Sequence, residues 1–161
     1  MTDPPLRPIT PADHRQVLAW NDHHVDLLSP LDGDRLATLL GWTDLGCMIR
    51  HDGRDVGFVL TFAAGTAYDS ENYLWFSSSY PSFYYLDRVV VDPSVRRAGV
   101  ATRVYDAIEA RAGEIAPVMC LEVNLEPPNE PSLAFHRRRG YAEVGQVGAA
   151  GHRVSLLAKG V

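Results

Sequence analysis

The chain has 161 residues, of which 46% are hydrophobic and 22% charged, the make-up of an ordinary globular domain rather than of a disordered or fibrous chain. Its net charge of −5 excludes a dedicated nucleic-acid binder, which carries a basic excess. No apolar run is long enough to cross a bilayer.

A chain of this length buries a sizeable core without disulfide or metal staples, so residues 1–161 are expected to form a single domain. The opening MTDPPLRPITPAD is polar and proline-rich, unlike a secretory leader. Cys47 and Cys120 lie far apart in apolar surroundings, GCMI and VMCLEV. They read as buried free thiols of a reducing compartment. A cytoplasmic location is expected, with neither membrane nor nucleic acid as a partner.

Residues 6–9, LRPI, are short and extended, and Pro8 suits a sheet edge. A helix follows, with Thr10 as N-cap, Pro11 in the first position and Asp13 in the first turn. Val17, Leu18 and Trp20 form its apolar stripe. Residues 29–42 read as a second helix that buries Leu36, Leu39 and Leu40. Two apolar runs around Asp52-Gly53 predict a hairpin over 47–62. Residues 65–84, GTAYDSENYLWFSSSYPSFY, read as a long aromatic and polar loop with room for a helical turn. Long loops in compact domains often carry function.

Residues 84–92, YYLDRVVVD, form a buried-type strand rich in β-branched side chains. The helix expected over 99–112 has Val100, Val104, Ala107 and Ile108 on one face. PVMCLEVNL (117–125) is the next strand, and EPPNEPSLAFHRRRGY (126–141) is a loop and short helix stopped by Gly140. Residues 142–148 and 152–159 close the chain as paired strands. The expected fold class is α/β (α+β): a mixed, mainly antiparallel twisted sheet of about six to seven strands, about four helices and one βαβ crossing.

The segment VVVDPSVRRAGVATRV joins a strand to a helix through the turn Asp92-Pro93-Ser94. The backbone N–H groups from about Arg97 to Thr102 fall in the unsatisfied first turn, at the positive end of the helix dipole. Gly99 has no side chain to block close approach, and Ala101 has almost none. This is the geometry of an anion site, to which Arg96 and Arg97 add charge. A basic helix start facing solvent is the plainer alternative. Neither the P-loop nor the three-glycine dinucleotide fingerprint fits.

VRRAGVA is similar to the R/Q-x-x-G-x-G/A signature of the GNAT acyl-CoA N-acetyltransferases, with Arg96, Gly99 and Ala101 at its defining positions. NEPSLAFHRRRGY resembles a later motif of the same family through Asn129, Ser132, Phe135, Gly140 and Tyr141. The resemblance covers residues 86–159 well and the N-terminal half by element order alone. It implies a GNAT fold with splayed central parallel strands, and acetyl-CoA as cosubstrate with no metal. Arg96, Arg97, Ala98, Gly99, Val100, Ala101 and Thr102 would hold the pyrophosphate. Val89, Val90 and Val91 would lie along the pantetheine arm, and Asn129, Ser132 and His136 would also contact the cofactor. Family members are often dimers, so a homodimer is one arrangement it implies.

Acyl transfer from a thioester to an amine needs a base, oxyanion stabilisation and a proton donor for the thiolate. LEVNLEPPN resembles a segment of the ribosomal-protein N-terminal acetyltransferases in which the matching glutamate is the base, which makes Glu122 the first choice. Pro127-Pro128 lengthen this chain by two residues there. A carboxylate beside Leu121 and Val123 on a buried strand is costly unless paired or functional; the alternative is a structural ion pair with Arg88. Asp87 is the second candidate base, against a solvent-facing role beside Arg88, and a water relay is the third.

His136 stands where many members carry the tyrosine that protonates the thiolate, and histidine can donate near neutral pH. Tyr141 reads as core. Arg137, Arg138 and Arg139 read as a solvated helix face, with one of them in reach of a CoA phosphate. The acceptor is expected to be an amine of a small molecule or peptide. Asp22, Asp26, Asp69 and Glu71 would receive it with Trp20, Tyr68, Tyr73, Trp75 and Tyr84, by charge pairing and cation–π contact; an aromatic core under an acidic surface is the alternative. His23 and His24 diverge by about 100° on a helix and lack a third ligand, which argues against metal. The function read from the chain is acetyl-CoA-dependent N-acetyl transfer, with a CoA-binding sensor of the same fold as the alternative.

Overall fold

The computed structural model describes residues 4–24 and 28–161. Its seven strands are β1 (Leu6–Pro8), β2 (Gly46–His51), β3 (Arg54–Ala63), β4 (Tyr84–Val91), β5 (Val118–Asn124), β6 (Ala142–Val147) and β7 (Val154–Gly160). The helices are α1 (His14–His23), α2 (Gly33–Leu40), α3 (Glu71–Ser79), α4 (Val100–Ile115) and α5 (Glu130–Arg138). The strands form one sheet in the order β1-β2-β3-β4-β5-β7-β6. Every neighbouring pair is antiparallel except β4 and β5, which are joined through α4.

The local signals explain most elements. Pro8 sits on the edge strand β1, where it breaks no central ladder. A short 3-10 turn, Pro11–Asp13, precedes α1, and the Asp13 carboxylate accepts from the Thr10 N–H at 2.8 Å. Asp52 and Gly53 both take positive φ, 49° and 73°, as a two-residue hairpin turn requires. Asp32 caps α2 by accepting from the Arg35 N–H. Leu36 and Leu39 are fully buried under α2, and Leu40 is half-buried.

The expected helix count is one short. The segment read as a loop holds α3, capped by the Ser70 hydroxyl, which accepts from the Tyr73 N–H. Tyr73 and Phe76 bury one side of it. The run Ser77-Ser78-Ser79 has weak helix propensity and dilutes the apolar period, so tertiary packing decides the outcome here.

Two cores flank the sheet. On one face α1, α2 and α3 pack Val17, Trp20, Leu36, Leu39, Tyr73 and Phe76 against Phe58, Leu60, Phe62 and Tyr85. On the other, α4 and α5 pack Val104, Ile108 and Phe135 against Tyr84, Leu86, Met119 and Leu121. Gly57 lets β3 and β4 close up: a Cβ there would lie 1.9 Å from the Val90 carbonyl oxygen. Both cysteines are free and buried, and burial raises the Cys47 thiol to about 11.

Two irregularities prepare the site. Leu60 pairs with Arg88 and Thr61 with Leu86, so Asp87 is the extra residue of a bulge in β4. The pairing of β4 with β5 is confined to Tyr84–Met119 and Tyr85–Cys120. Beyond those two steps the parallel strands part.

Candidate active site

The parting of β4 and β5 opens a cavity of about 620 Å³ that runs through the sheet. Asp87, Arg88, Val89 and Val90 line it from β4, and Glu122 and Asn124 from β5. His24, Ser29, Tyr68, Glu71 and Asn72 border one end. Tyr105, Asn129, Ser132 and His136 border the other.

The bulge sets the chemistry of the first end. Regular alternation would put Arg88 on the opposite face from Tyr85. The extra residue turns Asp87 and Arg88 together toward α1 and α3. Asp87 accepts from the Tyr68 hydroxyl at 2.9 Å and from Arg88 Nε at 3.1 Å. The Asp87 side chain is only 7% exposed, so the expected solvent-facing position beside Arg88 is replaced by a buried ion pair. Burial raises its pKa, against the pull of Arg88.

Glu122 faces the same side. Its two carboxylate oxygens lie 2.8 and 2.6 Å from the Tyr85 hydroxyl, and the Asn72 amide adds a hydrogen bond. Burial, aided by the Asp87 charge, pushes Glu122 up to about 8. The ion pair considered between Glu122 and Arg88 is therefore not the one formed. Arg88 is spent on Asp87 and on a clamp: Nη1 reaches Asn21 Oδ1 at 2.8 Å and the Ser29 carbonyl at 2.7 Å. The Asn21 amide donates to the same carbonyl at 3.0 Å. The segment entering α2 is thus fastened to the β4 bulge.

At the other end, Asn129 caps α5 by accepting from the Ser132 N–H. His136 is 4% exposed. Its Nδ1 lies 2.7 Å from the Ser132 carbonyl oxygen, and its Nε2 lies 2.8 Å from the Tyr105 hydroxyl. A carbonyl only accepts, so Nδ1 carries the proton and Nε2 accepts from Tyr105. Burial lowers the imidazole pKa. Tyr141 is core, as read from its place after Gly140, with its hydroxyl against the Met119 sulfur.

A second cavity, about 450 Å³, lies over the loop between β4 and α4. Arg96, Arg97, Gly99, Val100, Ala101 and Thr102 line it, with Val91 from β4 and Arg138 from α5. No acidic side chain is among its lining residues. Gly99, at φ 74°, precedes α4 without a capping side chain, which leaves the first-turn N–H groups facing outward. Arg97 also takes a positive φ, 66°. The Asp92 carboxylate holds the preceding turn by accepting from the Ser94 N–H at 2.8 Å. Ala98 is not among the residues that line the cavity. In the basic run Arg137 and Arg138 are exposed, but Arg139 pairs with Asp106 and Glu109 at 2.8 and 2.7 Å.

The acidic and aromatic acceptor set is only partly assembled. Tyr68 and Glu71 line the cavity. Trp20, Tyr73 and Tyr84 are core, and Trp75 is packed over Gly145. Asp22 is exposed, Asp69 pairs with Arg35, and Asp26 lies outside the described residues. His24 borders the cavity with Nδ1 at 2.9 Å from the Trp20 carbonyl, and no metal-ligating cluster of three occurs among the described residues.

Sequence reasoning missed Tyr85, Asn72 and Tyr105. Tyr85 was legible: it is two residues before Asp87 on a strand facing the glutamate strand. Tyr105 follows Val104 on α4 and carries no motif of its own.

The chain matches the model of the Acetyltransferase (GNAT) family over residues 10–141. No curated protein matches it in sequence. Among solved structures it is similar to Ard1 from Thermoplasma volcanium, at 16% identity and TM-score 0.76, over 97% of this chain and 96% of that one. Arabidopsis thaliana Naa50, in complex with the bisubstrate analogue CoA-Ac-MVNAL, is 12% identical with TM-score 0.70, covering 97% of each chain. The ribosomal-protein-S18-alanine N-acetyltransferase from Escherichia coli is 15% identical with TM-score 0.64, over 96% of this chain and 92% of that one. At these identities the likeness is one of fold.

Proposed function

Because the chain belongs to the GNAT acetyltransferase family, we propose that it moves the acetyl group of acetyl-CoA directly to a primary amine of a small molecule or peptide. The observation that carries this reading is Glu122: a carboxylate raised to about 8, held by Tyr85, in the gap between two parting parallel strands.

The residues fit the cosubstrate. The acid-free cavity around Arg96, Arg97 and Arg138, with Gly99 leaving the backbone open, suits a pyrophosphate. Parted from β5, the backbone of Val89 and Val90 is available to an extended amide chain such as pantetheine, as a strand edge is to another strand. Asn129 and Ser132 border the cavity between β4 and β5 on the side of α5. Acetyl-CoA supplies the activated acyl group as a thioester.

The amine enters from the end bordered by His24, Ser29, Tyr68 and Glu71. Glu122 takes its proton, and Asp87 is the nearby second carboxylate that keeps Glu122 basic. A backbone N–H of β4 in the gap is the donor to the developing oxyanion. A sensor that binds CoA without turnover is the second reading, favoured by His136, whose ring nitrogens are both engaged.

Calorimetric titration with acetyl-CoA, then thiol release with a panel of amines, tests the proposal. Binding with amine-dependent release supports it. Binding without release for any amine selects the sensor. No binding overturns both.

A further inference from the structure

The two sides of the cavity are chemically unlike. Glu122, Asp87 and Tyr68 enter from the face covered by α1 and α3; Tyr105 and His136 enter from α4 and α5. A thioester between them, attacked by an amine held at Glu122, must release its sulfur away from the carboxylates, toward Tyr105 and His136. A leaving thiolate is stabilised by an X–H donor there.

The imidazole offers none. Its Nδ1 proton is committed to the Ser132 carbonyl, and its Nε2 is a lone pair. Ser132 Oγ sits 3.3 Å from Nδ1, on the same guarded side. Tyr105 lines the cavity, and its hydroxyl carries a proton, directed at Nε2 from 2.8 Å. A phenol with one proton and two acceptors gives it to the stronger one. An anionic acceptor makes a charge-assisted bond, roughly twice as strong as one between neutral groups.

We infer that the hydrogen-bond donor to the leaving CoA thiolate is the Tyr105 hydroxyl, and that His136 Nε2 is the acceptor that parks it between turnovers. The inference rests on the acetyl-CoA reading above. In the step, the amine nitrogen forms the C–N bond and the C–S bond breaks, with its electron pair leaving on sulfur. The amine proton passes to Glu122. No proton has to leave Tyr105: its O–H turns from Nε2 to the sulfur. Tyr105 is then a catalytic residue, and His136 a positioning one.

The test needs no acceptor amine. The thiol of bound CoA is titrated by the ultraviolet absorbance of its thiolate in wild type, Tyr105→Phe and the double variant Tyr105→Phe/His136→Tyr. The double variant returns a hydroxyl from the adjoining position on α5. Arg139, whose guanidinium lies 5.5 Å from the Tyr105 ring centre, and its partner Glu109 stay unchanged throughout. The expected result is a bound thiol at least about tenfold more acidic in wild type than in Tyr105→Phe, one pH unit of titration, with the double variant recovering most of it.

Equal titration in wild type and Tyr105→Phe, with CoA bound to both, overturns the inference. Should the variants fail to fold, wild-type protein labelled with ¹³C at the tyrosine ζ carbon replaces them. The Tyr105 signal must then move as the bound thiol titrates, and a fixed signal overturns the inference. No CoA binding by wild type overturns the cofactor reading and this inference together. An acidified thiol without amine acetylation leaves Tyr105 as the donor to the sulfur of bound CoA and overturns the transferase reading, and with it the leaving-group role.

Discussion

The Tyr85 hydroxyl lies 2.8 and 2.6 Å from the two oxygens of the Glu122 carboxylate. One donor therefore serves both oxygens of a group that burial has raised to about 8. A base must be deprotonated to work, so turnover should climb with pH through about 8. Glu122→Gln should lower turnover by roughly 10²-fold or more and remove that limb. Tyr85→Phe withdraws a hydrogen bond that favours the charged form, so its limb should move to higher pH. Rates measured against pH for the three proteins check this.

The same shift has a sign for stability. Glu122 keeps its proton in the folded state over a range where the unfolded chain, near 4.3, has lost it. Its contribution is full below the unfolded value, declines as pH rises, and is gone above about 8. Glu122→Gln should therefore gain on wild type between about pH 4 and 8, by up to about 5 kcal/mol at the upper end. Urea unfolding at several pH values measures it.

Gly99 separates backbone conformation from the phosphate site. Gly99→Ala meets only the Arg103 guanidinium, at 3.4 Å, and should cost about 1–2 kcal/mol for its left-handed φ while keeping CoA affinity within a few-fold. Gly99→Glu puts a carboxylate among Arg96, Arg97 and the helix donors. It should abolish CoA binding, a loss of at least about 2.7 kcal/mol or 100-fold, with the fold intact. Calorimetry and thermal melting read the two effects separately.

Arg88 is 5% exposed and its neighbour Asp87 7% by side chain. Arg88→Met leaves that carboxylate buried and uncompensated, at a cost of about 3–5 kcal/mol. Asp87→Asn/Arg88→Met should recover a good part of the loss. Because Arg88 also clamps Ser29, the double variant should still bind acetyl-CoA with a raised KM for the amine. Denaturant titration and steady-state kinetics check both halves.

Gly57→Ala tests the closeness of β3 and β4. Its methyl would fall 1.9 Å from the Val90 carbonyl oxygen, a backbone atom that cannot rotate away. A destabilisation of about 3 kcal/mol is expected, read from the denaturation midpoint.

What the sequence made legible was what is written locally. The Asp52-Gly53 turn, the Gly99 helix start and the buried strand before it each carry their own signal within a few residues. The hidden parts depend on distant partners. Three serines masked α3, whose helix is decided by Tyr73 and Phe76 packing under the sheet. Glu122 was found as an oddity in an apolar strand, but its partner was misjudged, because Arg88 on the same side is already engaged by Asp87, Asn21 and Ser29, and Tyr85 is left to meet the carboxylate. Tyr105 became visible only when α4 and α5 were laid side by side.

That extra residue has an implication for how the site is encoded. Asp87 is the point where the inside and outside of β4 trade places. Removing that one residue would restore an unbroken alternation and leave Leu86 and Arg88 on the faces they already occupy, with Arg88 still toward Asn21 and Ser29 but without its carboxylate partner. The acidic pocket is thus specified by a count as much as by a composition. A chain without that one position would keep both faces of β4 and lose the second carboxylate from the pocket.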